Sequence, residues 1–240
     1  MGMDGQLFAM FNMDYLALAK MIIPGREKNR KNVIKLLEHA EKRTRLYPAS
    51  TKYHHCWAGG LADHITQVMA LMFTHRDALG EGVALWEIPV AAYLHDWEKH
   101  WKYEPIGPNE VKKGSALDRA PATAVAALSV VPAFKYVEVP GRFAPSTEIS
   151  TGILLERFDL PCSRRLSNAL MLSEGGWSPH SKEANLDKFA TVLHAADMIS
   201  SHCYQEFSGK GAEAWSMKYF SEILAAHAKM PPLGDGTWPR

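Results

Sequence analysis

Along most of this chain apolar residues recur at the spacing of a helix that buries one face. Residues 6–22 form an apolar, Met-rich segment stopped by Pro24-Gly25. Glu27 to Arg45 predicts a second helix, with Val33, Ile34, Leu36 and Leu37 set among charges. After the Pro48-Ala49-Ser50 break, Leu61, Ile65, Val68, Met69 and Met72 predict a helix that follows Gly59-Gly60 and runs to about Leu79. Gly80 and Gly82 separate it from a helix near 86–101 that carries Ala91, Ala92 and Leu94. Residues 104–121, rich in Pro, Gly and Lys, read as a loop, and an Ala/Val-rich helix is expected near 122–131. The stretch Phe134 to Phe143 alternates about Pro140-Gly141 and predicts at most a short β-hairpin near 134–143. Further helices are expected over 147–158, 163–173, 185–207 and 213–229, ahead of a Pro/Gly-rich tail. The expected class is all-α, in a single domain over 1–240.

Composition leaves that picture standing. Of the 240 residues 47% are hydrophobic and 22% charged, ordinary globular values that exclude wholesale disorder. A net charge of +1 gives no overall drive towards nucleic acid or anionic lipid. It conceals an asymmetry: residues 25–52 carry a local charge of +6, against −5 for the remainder. The three cysteines, Cys56, Cys162 and Cys203, form no CxxC pair and no disulfide framework, which points to a reducing compartment. No basic region precedes an apolar stretch at the N-terminus. The longest uncharged run, between Arg119 and Lys135, is broken by Pro121 and Pro132 and falls short of the ~20 apolar residues a membrane span needs. A soluble, cytoplasmic protein without a membrane segment is expected.

Three segments place ionisable residues on apolar helices, where such groups are costly unless paired or coordinated. They are His54-His55-Cys56-Trp57-Ala58-Gly59-Gly60-Leu61-Ala62-Asp63-His64, then Leu94-His95-Asp96-Trp97-Glu98-Lys99, then Leu193-His194-Ala195-Ala196-Asp197. His64, His95, Asp96 and Asp197 come from three predicted helices able to pack about a common point. Two imidazoles and two carboxylates make a mixed N/O donor set suited to Mn, Fe, Co, Ni or Zn and tolerable for Mg. Four protein donors on an octahedral ion leave two positions for water and a substrate oxygen. A cation held there would lower the pKa of water and polarise a phosphoryl group.

Read together, these segments resemble the HD superfamily of metal-dependent phosphohydrolases, whose pattern is H…HD…D. His64 matches the first His, His95-Asp96 the doublet and Asp197 the last Asp. The flanks are similar as well: Leu94 to Lys99 reads as LHDxxK, and His194 to Asp197 as HxxD. The run HHxxxGGLxxH from His54 to His64 is similar to a branch that includes 3′-to-5′ exoribonucleases and relaxase-associated HD domains. The resemblance implies an HD core over 54–207, with N-terminal helices over 1–53 and a C-terminal helix and tail over 208–240. It also implies hydrolysis of a phosphoester or phosphoanhydride by a metal-activated water. Two departures matter. Trp97 and Glu98 follow the doublet where the family usually has a small apolar residue and Gly. The His-His-Gly of two-metal members is replaced by Leu172-Ser173-Glu174-Gly175-Gly176, so one ion is expected rather than two.

The resemblance gives roles to the remaining residues. His64, His95, Asp96 and Asp197 are the expected metal ligands, and Asp96, Lys99 and Glu174 the expected catalytic groups, Glu174 as general base to the attacking water. His54, His55 and Lys99 are expected to bind substrate phosphate, the histidines beside a helix start that favours anions. His194 is a candidate partner of Asp197. The first reading of function is hydrolysis of a nucleotide, either a nucleoside monophosphate or a deoxynucleoside triphosphate. The alternative is a 3′-to-5′ exonuclease on single-stranded nucleic acid, motivated by the His-His branch and the basic 25–52 segment. The third is a catalytically silent HD module that binds a nucleotide. A homo-oligomer is compatible with all three, since the segments 122–131 and 213–229 serve equally as core or as subunit interface.

Overall fold

Asp14 decides where the first apolar segment divides. Its carboxylate accepts from the amides of Leu16 (3.0 Å) and Ala17 (3.4 Å), capping a helix that starts at Tyr15. The computed structural model, which describes residues 3–50, 54–56, 59–108, 134–138, 147–174 and 185–203, therefore has two helices in place of the one expected over 6–22. These are α1 (Met3–Phe11) and α2 (Tyr15–Ile22). The helix expected from Glu27 to Arg45 also divides, at Ala40 (φ −116°, ψ 26°), into α3 (Arg30–His39) and α4 (Glu41–Thr44). Arg45 then ties the two breaks together, reaching Asp14 at 2.5 Å and Glu41 at 2.9 Å.

The centre of the assembly is α5 (Gly60–Thr74), which packs against α1, α2, α6 (Glu87–Leu94) and α10 (Lys188–Cys203). Neighbours on several sides explain why it is apolar nearly all round rather than along one stripe. Leu61, Ile65, Val68, Met69 and Met72 are buried there beside Val90, Ala91 and Leu94 of α6 and Leu193 of α10. Two further helices, α8 (Thr147–Arg157) and α9 (Arg164–Met171), complete the described set together with the short α7 (Lys99–Lys102). Buried Glu87 fastens α6 to α9: its carboxylate accepts from Ser163 Oγ at 2.5 Å, and Ser163 Oγ itself caps α9 by accepting from Leu166 N.

The described residues thus form an all-α assembly with one two-stranded antiparallel ribbon. Strand β1 (Tyr103–Pro108) pairs with β2 (Phe134–Glu138), Tyr103 opposite Glu138 and Pro108 opposite Phe134, with an irregularity between Pro105 and Pro108. This corrects one expectation: residues 104–108 are strand rather than loop. Among the described residues the partner of 134–138 is β1. Pairing across distant sequence overrode local composition, and the prolines are tolerated because a two-stranded ribbon has only edges. The expected helices at 122–131 and 213–229, the proposed turn at Pro140-Gly141, and the tail lie outside the described residues. Among the described residues no helix is long and apolar enough to cross a membrane.

Candidate metal centre

Packing of α5 against both α6 and α10 brings the three sequence segments together. His64 lies in the second turn of α5, and Asp197 lies on α10. The His95-Asp96 doublet falls where α6 ends and the backbone tightens, with Trp97 N bonding Leu94 O (3.1 Å) and Lys99 N bonding Asp96 O (3.0 Å). The tight turn presents consecutive side chains, His95 and Asp96, to one point.

His64 Nε2 stands 3.2 Å from His95 Nε2, 3.3 Å from Asp96 Oδ2 and 3.2 Å from Asp197 Oδ1. His95 Nε2 lies 3.4 Å from Asp96 Oδ2 and 3.9 Å from Asp197 Oδ1. Both imidazoles are buried, and His95 donates its Nδ1–H to the Ala92 carbonyl at 3.0 Å, which turns its bare Nε2 inward. Bonds of about 2.1 Å would put adjacent ligands roughly 3.0–3.4 Å apart, so this donor set could hold a metal ion with little contraction. His64, His95 and Asp197 form one group whose donor atoms all lie within 4.8 Å of one another. Asp96 meets both imidazoles through the same oxygen that takes a 2.6 Å bond from Lys99 Nζ.

The electrostatics follow from that crowding. Burial alone would raise the Asp96 carboxyl, but Lys99, His95 and His64 outweigh it and hold it well below the usual range. Asp197 is likewise held low, burial being overcome by His64 and His95. Burial opposes the charge on Lys99, yet Asp96 raises its pKa above the ordinary value. His64 is raised because Asp197 and Asp96 overcome its burial, whereas burial wins at His95 and lowers it. Two ionised carboxylates facing two imidazoles attract a cation, whether a proton or a metal.

His54 and His55 are brought beside this centre. Their rings lie 5.0 and 5.2 Å from the His64 ring, and their Nδ1 atoms are 3.0 Å apart. With His64 they make a second group of donor atoms within 4.8 Å. Burial first, then the neighbouring His64, pushes His54 down to about 3 and His55 well below its usual value, so both stand neutral. Gly59 and Gly60 explain the segment's shape. Gly59 adopts φ +83°, and a Cβ on Gly60 would collide with the His55 carbonyl. Lys99 pairs with Asp96 as its spacing suggested.

Other expected residues sit elsewhere. Glu174 is exposed after α9, and no bond ties its carboxylate to the centre among the described residues. His194 donates to the Ser173 carbonyl at 2.9 Å. Asp197 instead accepts from Ser201 Oγ at 3.1 Å. Trp97 is buried against Tyr93, His100 and Trp101 rather than lining the site. The basic segment is partly consumed by the fold: Arg45 is in ion pairs, Arg30 donates to the Ile23 carbonyl, and Arg43 lies buried over the Trp101 ring. Arg26, Lys28, Lys31, Lys35 and Lys42 remain exposed. Sequence reasoning missed Gln67, Ser200 and Ser201, although each stands three or four residues along a helix from His64 or Asp197.

Comparison of the chain with protein families, with curated proteins and with solved structures finds no significant match.

Proposed function

We propose that this chain is a metal-dependent phosphohydrolase that cleaves a phosphoester or phosphoanhydride bond of a nucleotide. One observation carries the reading: the two Nε2 atoms and the two carboxylates of an H…HD…D pattern converge within 3.2–3.9 Å at one buried point. A divalent cation bound by His64, His95, Asp96 and Asp197 supplies the Lewis acidity that lowers the pKa of water and polarises a phosphoryl oxygen. The chain's own groups do the rest. Asp96 and Asp197 stay ionised and concentrate negative charge at the point of binding. Lys99 spends one N–H on Asp96 and keeps the others for a phosphate oxygen. The exposure of Glu174, in the place of a two-metal motif, supports a single ion.

The exonuclease reading draws on the basic segment, where Arg26, Lys28, Lys31, Lys35 and Lys42 are exposed among the described residues. Three others, Arg30, Arg43 and Arg45, are engaged internally, which favours a mononucleotide as substrate. Phosphate release from a panel of nucleoside mono- and triphosphates, with Mn, Co, Ni or Zn added, tests this. Turnover of free nucleotides is expected, and loss of turnover in His95→Ala and Asp96→Ala with the fold retained by circular dichroism. Inertness with every ion would refute the reading. Salt-sensitive degradation of single strands, without action on free nucleotides, would select the exonuclease.

A further inference from the structure

Gln67 lies one turn beyond His64 on α5 and is only 9% exposed. Its Oε1 is 3.1 Å from His55 Nε2 and 2.8 Å from Ser200 Oγ, and Ser200 Oγ is 2.9 Å from His64 Nδ1. An amide oxygen can only accept, and that single fact orders the protons along both arms. Ser200 gives its one hydroxyl proton to Gln67, so it receives the Nδ1–H of His64. The Nε2 of His64 is then the nitrogen left for the carboxylates and any cation. On the other arm His55 carries its proton on Nε2. Its Nδ1, in a buried neutral ring, accepts the Nδ1–H of His54 at 3.0 Å. The Nε2 of His54 is left with a lone pair.

We infer that Gln67 is a positioning residue that sets the tautomers of His64, His55 and His54 at once, as the common acceptor of two hydrogen-bonded arms. This rests on reading the centre as a metal site and deepens it. One arm aims His64 Nε2 at the ion. The other makes His54 an acceptor, suited to the proton of a water or sugar hydroxyl rather than to phosphate oxygens, which need donors. Phosphate contact then falls to Lys99. His55, with both nitrogens engaged, holds His54 in place.

Histidine side-chain 15N NMR of the full chain, with and without zinc, combined with zinc titration calorimetry, tests the inference. In the wild type His55 is expected as the Nε2–H tautomer in both states, and zinc-loaded His64 as the Nδ1–H tautomer. Gln67→Leu should weaken zinc binding by at least about tenfold, the usual effect of losing a residue that orients a ligand. Gln67→Glu, whose carboxylate also only accepts, should bind zinc as the wild type or tighter. Ser200→Ala should weaken zinc binding while His55 keeps its tautomer. A wild-type His55 protonated on Nδ1, or a folded Gln67→Leu with unchanged zinc affinity, overturns the assignment. If Gln67→Leu does not fold, the wild-type spectra and Ser200→Ala decide. A wild type that binds no divalent ion refutes the metal reading instead, and the His55 tautomer still decides the role of Gln67.

Discussion

Lys99 concentrates the chemistry at the scale of single residues. Its ammonium holds the Asp96 oxygen that also faces His64 and His95. In the proposed function it would compete with a metal for that oxygen while offering its remaining protons to phosphate. Two opposite effects follow for Lys99→Met. Divalent-ion affinity should be unchanged or tighter, because a like charge and a competitor leave together. The kcat/KM for a phosphorylated substrate should fall at least about tenfold, through KM, as a charge-assisted contact is lost. Calorimetry and steady-state kinetics on one preparation separate the two, and weakened metal binding would show that Lys99 only supports Asp96. Asp197→Ala should lower turnover by more than about a hundredfold, beyond what residues that merely orient a ligand contribute. Residues such as Lys99 and Asp197 were legible from spacing. Gln67 and Ser200 were not, since a Gln or Ser on a helix carries no signal until a neighbour supplies its partner.

Among the elements, the start of α5 is held by steric constraint at Gly59 and Gly60. Gly59 supplies a left-handed residue, and Gly60 lets the His55 carbonyl approach the start of α5. The Gly-Gly pair suggested an anion-binding helix start; the task visible in the structure is steric. Gly60→Ala should destabilise the fold by about 1–3 kcal/mol as overpacking forces the His54–His55 turn away from α5. Gly152→Ala is the control: nothing lies within 4 Å of a Cβ on this exposed α8 residue. It should stabilise by about 0.5–1 kcal/mol. Thermal denaturation of the two variants checks both signs, and equal effects would remove the steric argument. Strong periodicity located the start of α5, but the helix expected to reach about Leu79 ends at Thr74, and a 3-10 turn over Arg76–Ala78 follows. The breaks at Asp14 and Ala40 were missed, because apolar spacing runs on across a capping residue that halts the backbone.

Across the whole molecule, acid stability is set by buried groups that must stay neutral. His100 is fully buried, donates Nδ1–H to the Trp97 carbonyl and bonds Thr44 Oγ1 through Nε2 at 2.8 Å, so it joins α7 to α4. Burial, reinforced by Arg43, pushes it down to about 3 although the Trp97 carbonyl opposes this. In the unfolded chain it titrates at about 6.5. Between those values only the unfolded chain binds the extra proton, so stability falls as pH drops through that window. This one group contributes a slope of about 1.4 kcal/mol per pH unit. His100→Gln should flatten the pH dependence of unfolding by that amount between about 6 and 4, measured in denaturant at several pH values. An unchanged slope would mean that His100 is protonated in the fold. The sequence by itself determined the helical class and singled out His64, His95, Asp96 and Asp197 as candidate ligands, because helical period and residue chemistry are local properties. Only the tertiary structure decided that β1 pairs with β2, that three basic side chains are spent inside the fold, and that Gln67 orders the protons of three histidines. Each of these depends on which distant residues come within hydrogen-bonding reach, and no local pattern encodes that.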